Sequence, residues 1–176
     1  MRTLRVCLAG TVILALPGGL GGAVLGQDEP TDPMAPARVT GTVGSGTVFV
    51  PGESTFDDGA TVTEGWQASI TWDASDPRLE GEVEQTGNTV EYRAFSPMYV
   101  GATTRVLVND DGRWVGTDTG LGVPGVDMEF VVMQGEGAYE GVRAIVWEDW
   151  SEDPPTFVGA IIPSDKMPAF PDLATE

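Results

Sequence analysis

From Arg38 onward the chain alternates apolar and polar side chains with a period of two, the pattern of strands buried on one face. Arg38–Val43 opens the series, and Gly46–Val50 continues it before Pro51–Ala60, a loop rich in Gly, Asp and Ser. In Glu64–Asp73 the side chains of Trp66, Ala68, Ile70 and Trp72 share one face and Gln67, Ser69 and Thr71 the other. Asp76-Pro77 marks a turn, and Leu79–Gln85 follows with Leu79, Gly81 and Val83 opposed to Glu80, Glu82 and Glu84. Thr86-Gly87-Asn88 is expected to turn the chain into a return strand over Thr89–Phe95. Thr103–Val108 and Arg113–Asp118 flank Asn109-Asp110-Asp111-Gly112, residues that tolerate positive φ and so signal a hairpin. Asp127–Met133, Gly141–Asp149 and Thr156–Ile162 complete the set.

No segment carries an apolar stripe of helical period, and no internal repeat is visible. The expectation is an all-β fold of about eight or nine short antiparallel strands, a sandwich or a closed barrel. Without helices to cover sheet edges, closure is favoured, and an eight-stranded barrel has an interior that fills with side chains or holds one small ligand.

The residues before Arg38 read differently. Arg2 and Arg5 precede a short apolar run, Val6–Leu16, broken by Pro17-Gly18-Gly19 and followed by small residues up to Val24-Leu25-Gly26. This is the layout of a secretory signal peptide over residues 1–26, cleaved before Gln27. A membrane anchor is the competing reading, but a span needs roughly 20 apolar residues. Cys7 lies too early to be a lipidated cysteine at the cleavage point. Residues 27–37, with Pro30, Pro33 and Pro36, read as an extended linker, 38–162 as one β-barrel domain and 163–176 as an extended tail. The expected localisation is secreted, with no membrane association after cleavage.

Composition then removes chemistries. Histidine is absent and Cys7 is the only cysteine, so the mature chain has no disulfide, thiol nucleophile, Ser–His–Asp triad or imidazole metal site. No cofactor and no metal are expected. The chain carries 9 basic and 27 acidic side chains, and losing Arg2 and Arg5 leaves 7 basic against 27, a net charge near −20. Such a surface lacks the Lys/Arg needed to neutralise phosphates, so nucleic acid and anionic lipid are not expected partners. Cation binding, salt adaptation and a merely solubilising surface all fit it.

Gly135-Glu136-Gly137-Ala138-Tyr139-Glu140-Gly141-Val142-Arg143-Ala144 joins two apolar runs and reads as a tight corner between barrel strands. Gly137 and Gly141 are expected to be fixed by backbone conformation or close approach. This segment resembles the G-x-G-x-[YF]-x-G-x-R pattern of the allene oxide cyclase and dirigent barrel families. Asp76-Pro77-Arg78-Leu79-Glu80-Gly81 is similar to a stretch found in secreted bacterial proteins with the same glycine corner. The resemblance implies an eight-stranded antiparallel β-barrel with a small apolar cavity. It also implies that Arg143 corresponds to an arginine lining that cavity, which in dirigent proteins contacts a quinone methide.

Arg143 shares a strand face with Ile145 and Trp147. If that face is inward, Arg143 is a ligand anchor in need of an acidic answer; if outward, it is a surface arginine. Tyr139 can donate to a ligand or pack over the glycines of the corner. Trp66, Trp72, Trp114 and Trp147 form core or an aromatic platform. Glu148 and Asp149, adjacent on one strand, point to opposite faces and cannot flank one glycosidic bond. The candidate site is therefore Arg143, Trp147 and Tyr139, on a framework of Gly135, Gly137 and Gly141. The leading expectation is a binding module for a small, mostly apolar molecule, without catalysis of its own. The alternatives are a cyclase- or isomerase-like enzyme and a structural envelope protein with a filled core.

Overall fold

The computed structural model describes residues 32–95 and 98–166. The expected signal peptide, with Cys7, and the tail beyond Lys166 lie outside the described residues. Among the described residues there are ten strands: β1 (Ala37–Val43), β2 (Thr47–Val50), β3 (Glu53–Asp57), β4 (Ala60–Ala74), β5 (Gly81–Tyr92), β6 (Tyr99–Val108), β7 (Gly112–Val123), β8 (Val126–Gly137), β9 (Val142–Asp149) and β10 (Thr156–Pro163). The only helical pieces among the described residues are three single 3₁₀ turns, Pro77–Leu79, Arg93–Phe95 and Ser164–Lys166.

Every pairing is antiparallel, and β4 to β10 follow one another as a meander. β1 pairs β10, with Ala37 opposite Ile161, and also pairs the end of β4, with Val43 opposite Trp72. The sheet thus returns on itself as a ring of eight strands, β4 to β10 and β1, with β2 and β3 attached along the remaining edge of β4. The β1–β4 seam has three register pairs, against ten or more along each of the β4–β5, β5–β6, β6–β7 and β7–β8 joints.

Two expectations about turns are corrected. Thr86-Gly87-Asn88 does not turn: β5 runs unbroken through it, so Leu79–Gln85 and Thr89–Phe95 are not two arms of a hairpin. Gly87 is needed there for close approach, because a Cβ on it would meet the Trp66 ring and the Thr103 methyl. Likewise Pro51–Ala60 is not all loop. Ser54, Thr55 and Phe56 pair β4, and Asp58-Gly59 makes the tight reversal with φ of 44° and 80°. Leu79 belongs to the 3₁₀ turn rather than to a strand. The strands are also longer than expected, reaching 15 residues in β4.

The ring interior divides into two halves. At the end bearing the Asn109–Gly112 and Gly137–Gly141 turns, the core is apolar: Leu79, Val83, Leu107, Trp114, Met133, Val142 and Ile161 are all completely buried. Both sequence motifs close this end. Arg78 is buried; its guanidinium pairs with Asp76 at 2.6 Å and donates to the carbonyls of Pro33 and Ala35 at 3.0 and 2.8 Å. Asp32–Pro36, within the expected linker, accordingly form a turn held against the ring. The Arg78 carbonyl in turn accepts from Trp114 Nε1 at 2.7 Å. Tyr139 stacks on Trp114 with centroids 5.1 Å apart and donates to Asn109 Oδ1 at 2.8 Å. Gly135 lies directly beneath the Tyr139 backbone, and Gly137 and Gly141 have φ of 69° and 93°. No helix among the described residues is long and apolar enough to cross a membrane.

Candidate functional site

The half of the interior away from these two motifs is charged. On β6, period two points Thr103, Arg105 and Leu107 inward; on β7 the same holds for Trp114 and Asp118, and on β9 for Val142, Ala144, Val146 and Glu148. Arg105 is completely buried, and it faces three carboxylates, those of Asp118, Glu129 and Glu148.

Glu148 grips Arg105 in a two-pronged pair, Nη1 to Oε1 at 2.8 Å and Nη2 to Oε2 at 2.9 Å. Two indoles complete its shell: Trp72 Nε1 donates to Oε1 at 2.7 Å and Trp150 Nε1 to Oε2 at 3.1 Å. Four donors thus satisfy the ionised carboxylate, which is how a charge this deep is tolerated. Asp118 Oδ2 accepts from Arg105 Nε and from the Thr103 hydroxyl, while Asp118 Oδ1 is buried without a partner. Glu129 Oε2 accepts from Arg105 Nη2, and its side chain is 18% exposed where those of Arg105 and Glu148 are fully covered. The guanidinium carbon lies 5.9 Å from the Trp72 ring centroid.

Register explains the electrostatics. Glu129 stands directly opposite Glu148 on the neighbouring strand, a like-charge pair. Burial first, and then Glu148 and Asp118, push the Glu129 carboxyl up to about 8 against the opposing pull of Arg105. Burial alone would discourage the charge on Arg105, but Glu148, Asp118 and Glu129 outweigh it and hold the guanidinium protonated. The Glu129 carboxyl is thus held well above the ordinary carboxylate range, beside the one guanidinium that it shares with Asp118 and Glu148. Nearby, Tyr99 donates its hydroxyl to Asp127; burial and that carboxylate push the phenol up.

Inward glycines make room for the side chains packed around the cluster. Glu129 lies over Gly120 and the Tyr99 ring over Gly122. Trp66, half-buried over Gly87, donates Nε1 to Thr89 Oγ1 at 3.0 Å. A Cβ built on the buried Gly101 meets nothing nearer than 3.8 Å. The arrangement can hold and exchange a proton at Glu129 and accept a hydrogen bond at Asp118 Oδ1. Among the described residues no group of three or more Asp, Glu, Cys or His is arranged to hold a metal ion.

The residues expected from sequence are not brought together. On β9 the face of Arg143, Ile145 and Trp147 is the outer one. Arg143 donates Nε to Gln134 Oε1 at 2.9 Å on the outer wall, so it anchors nothing inside the ring. Trp147 is 44% exposed and packs on Phe130 at 5.8 Å, outside the core that Trp72 and Trp114 occupy. Tyr139 is buried at the closed end, spent on Trp114 and Asn109. A shallow groove of about 470 Å³ is lined largely by Thr86, Thr104, Thr117 and Thr119, and Thr103 and Asp118 of the charged cluster also belong to its lining. Sequence reasoning passes over Arg105, Asp118 and Glu129, and weighs Glu148 only in a pair with Asp149. The available signal was a charge recurring on the same alternation face as apolar neighbours: Arg105 with Leu107, Asp118 with Trp114, Glu148 with Val146. No protein-family profile, curated protein or solved structure matches the chain.

Proposed function

We propose that the protein is a secreted β-barrel binding module for a small, mostly apolar molecule, held in the charged half of the barrel interior. The observation that carries this reading is the uncompensated cluster itself. A merely structural core would be served better by apolar residues, because buried charges cost stability unless each is fully paired. Here Asp118 Oδ1 is left without a donor and Glu129 reaches the surface. Convergent polar groups beside the aromatic walls of Trp66 and Tyr99 are the usual make-up of a ligand site. The resemblance to the allene oxide cyclase and dirigent barrels agrees with an interior site but supplies no residue for it, since Arg143 faces outward.

A second reading, a cyclase- or isomerase-like enzyme, is favoured by Glu129, whose carboxyl lies near neutrality as a general acid or base requires. Native mass spectrometry of the protein purified from its own host tests the binding reading. A co-purifying small molecule lost on Glu129→Gln supports it. A mass equal to the bare chain, together with no response to a library of small apolar compounds, removes it.

A further inference from the structure

We propose that the outer wall over β5 to β9 is a second binding site, separate from the interior, for a neutral straight-chain polysaccharide laid across the strands. Register sets Asn88, Ala102, Thr119, Phe130 and Trp147 opposite one another in a single row over these five strands. All five are exposed among the described residues. With strands about 4.8 Å apart the row is roughly 19 Å long, room for a short run of sugar rings.

The row joins two surfaces of different chemistry. Over β5, β6 and β7 it crosses the groove of about 470 Å³, whose exposed lining is Thr86, Asn88, Ala102, Thr104, Thr117 and Thr119. Hydroxyls and an amide there both donate and accept, and Ala102, between Asn88 and Thr119, keeps the row low. Asp118 also borders the groove, but its carboxylate is turned to Arg105 and Thr103. Over β8 and β9 the row continues on Phe130 and Trp147, 43% and 44% exposed, with rings 5.8 Å apart.

Chemistry selects the ligand. The parallel outward row, Thr86, Thr104, Thr117, Val132 and Ile145, is as free of charge as the first, in a chain with 9 basic and 27 acidic residues. Without a cation the strip cannot answer an anion, which the net charge of −18 also repels; without an outward carboxylate it gives an organic cation no partner. A pyranose ring carries hydroxyls around its rim and C–H groups on its faces. The rim suits the threonine hydroxyls and Asn88, and the faces suit the Phe130 and Trp147 rings. A second copy of this wall would instead bring Phe130 and Trp147 onto hydroxyls, stripping these of water without giving them partners.

Cellohexaose, xylohexaose and mannohexaose are the neutral straight-chain probes and hexagalacturonate the charged one, each titrated calorimetrically into the full chain. At least one neutral probe is expected to bind saturably and at least about tenfold more tightly than hexagalacturonate, a ratio equivalent to about 1.4 kcal/mol. Trp147→Ala should weaken that binding at least about tenfold, and Trp147→Phe, which keeps an aromatic face, should restore most of it. Ala102→Ile places a bulky side chain in the groove at an exposed position and should weaken binding as well; circular dichroism checks that each variant keeps the native spectrum. Binding that survives both Trp147→Ala and Ala102→Ile lies off this wall and overturns the assignment, as does hexagalacturonate binding as tightly as the neutral chains. If no neutral chain binds, the proposal falls, whether sedimentation then shows the wall covered by a second copy or bare. The interior reading stands or falls separately, because neither variant alters a side chain that faces the charged cluster.

Discussion

Trp72 donates a hydrogen bond from its indole N–H to Glu148 Oε1 at 2.7 Å, linking β4 to β9 through the interior of the ring. The same indole packs against Phe157 at 5.1 Å. One side chain thereby belongs to both the apolar core and the charged cluster, so the site is held by the fold's most buried contacts.

Removing the cluster's cation should therefore unfold the protein more readily than removing one apolar core residue of similar size. Arg105→Met leaves Glu148 and Asp118 buried without their partner, a change that costs about 3–5 kcal/mol in buried pairs. Arg105→Lys should fail to rescue it, because an ammonium cannot reproduce the two-pronged grip on Glu148. Urea unfolding at pH 7 measures both; a loss below about 1 kcal/mol in Arg105→Met would show that the cluster does not hold the ring together.

Stability should fall as the pH rises from about 4.5 to about 8. The Glu129 carboxyl titrates near 8 in the folded protein, above its ordinary value of 4.5, so between those limits the folded state holds the extra proton. Unfolding then becomes easier with rising pH, by at most about 1.4 kcal/mol per unit, and the trend levels off above the folded value. Glu129→Gln should remove this slope. Denaturant titrations at pH 5, 7 and 9 decide the matter, and identical slopes in the two proteins contradict the assignment.

The glycine corner makes a graded prediction. Gly137→Ala forces a side chain into φ of 69°, at a cost of about 1 kcal/mol. Gly135→Ala drives a Cβ into the Tyr139 backbone and should cost more. Tyr139→Phe keeps the stack on Trp114 but loses the bond to Asn109, a loss of about 1 kcal/mol. Thermal melts that rank Gly137→Ala as the most damaging of the three would contradict this geometry.

Arg143→Leu should leave both stability and ligand binding nearly untouched, within about 0.5 kcal/mol, since the side chain lies on the outer wall with Gln134 as its hydrogen-bond acceptor. Loss of binding in this variant would reinstate an outer or rearranged site.

The strands were legible because alternation is written into each one. Trp66–Trp72 and Arg113–Asp118 needed only the period of two, and Asn109–Gly112 only its turn chemistry. The Gly87 error shows the limit: a glycine that admits the Trp66 ring looks, in one dimension, like a glycine that turns the chain. The site was hidden for a related reason. Which face of β9 is inward depends on partners far away in the chain, and Ile145 and Trp147 seemed a more apolar pair than Val146 and Glu148. Only the encounter of β4 and β6 with the end of β9 shows that Glu148 has four donors waiting for it.

The narrow β1–β4 seam has a kinetic consequence. The seven strands from β4 to β10 can zip together hairpin by hairpin, with each new strand already tethered beside the last. Closure has no such help: β1 must find β10 from the opposite end of the described chain, against the entropy of a very long loop, and then grip β4 through three pairs. Hydrogen exchange should accordingly reach β1 before β7, and a copy whose β1 has come away exposes the free edges of β4 and β10. At high concentration those edges are the natural landing place for β1 from another molecule, so the same joint that seals the monomer is where strand exchange between copies would begin.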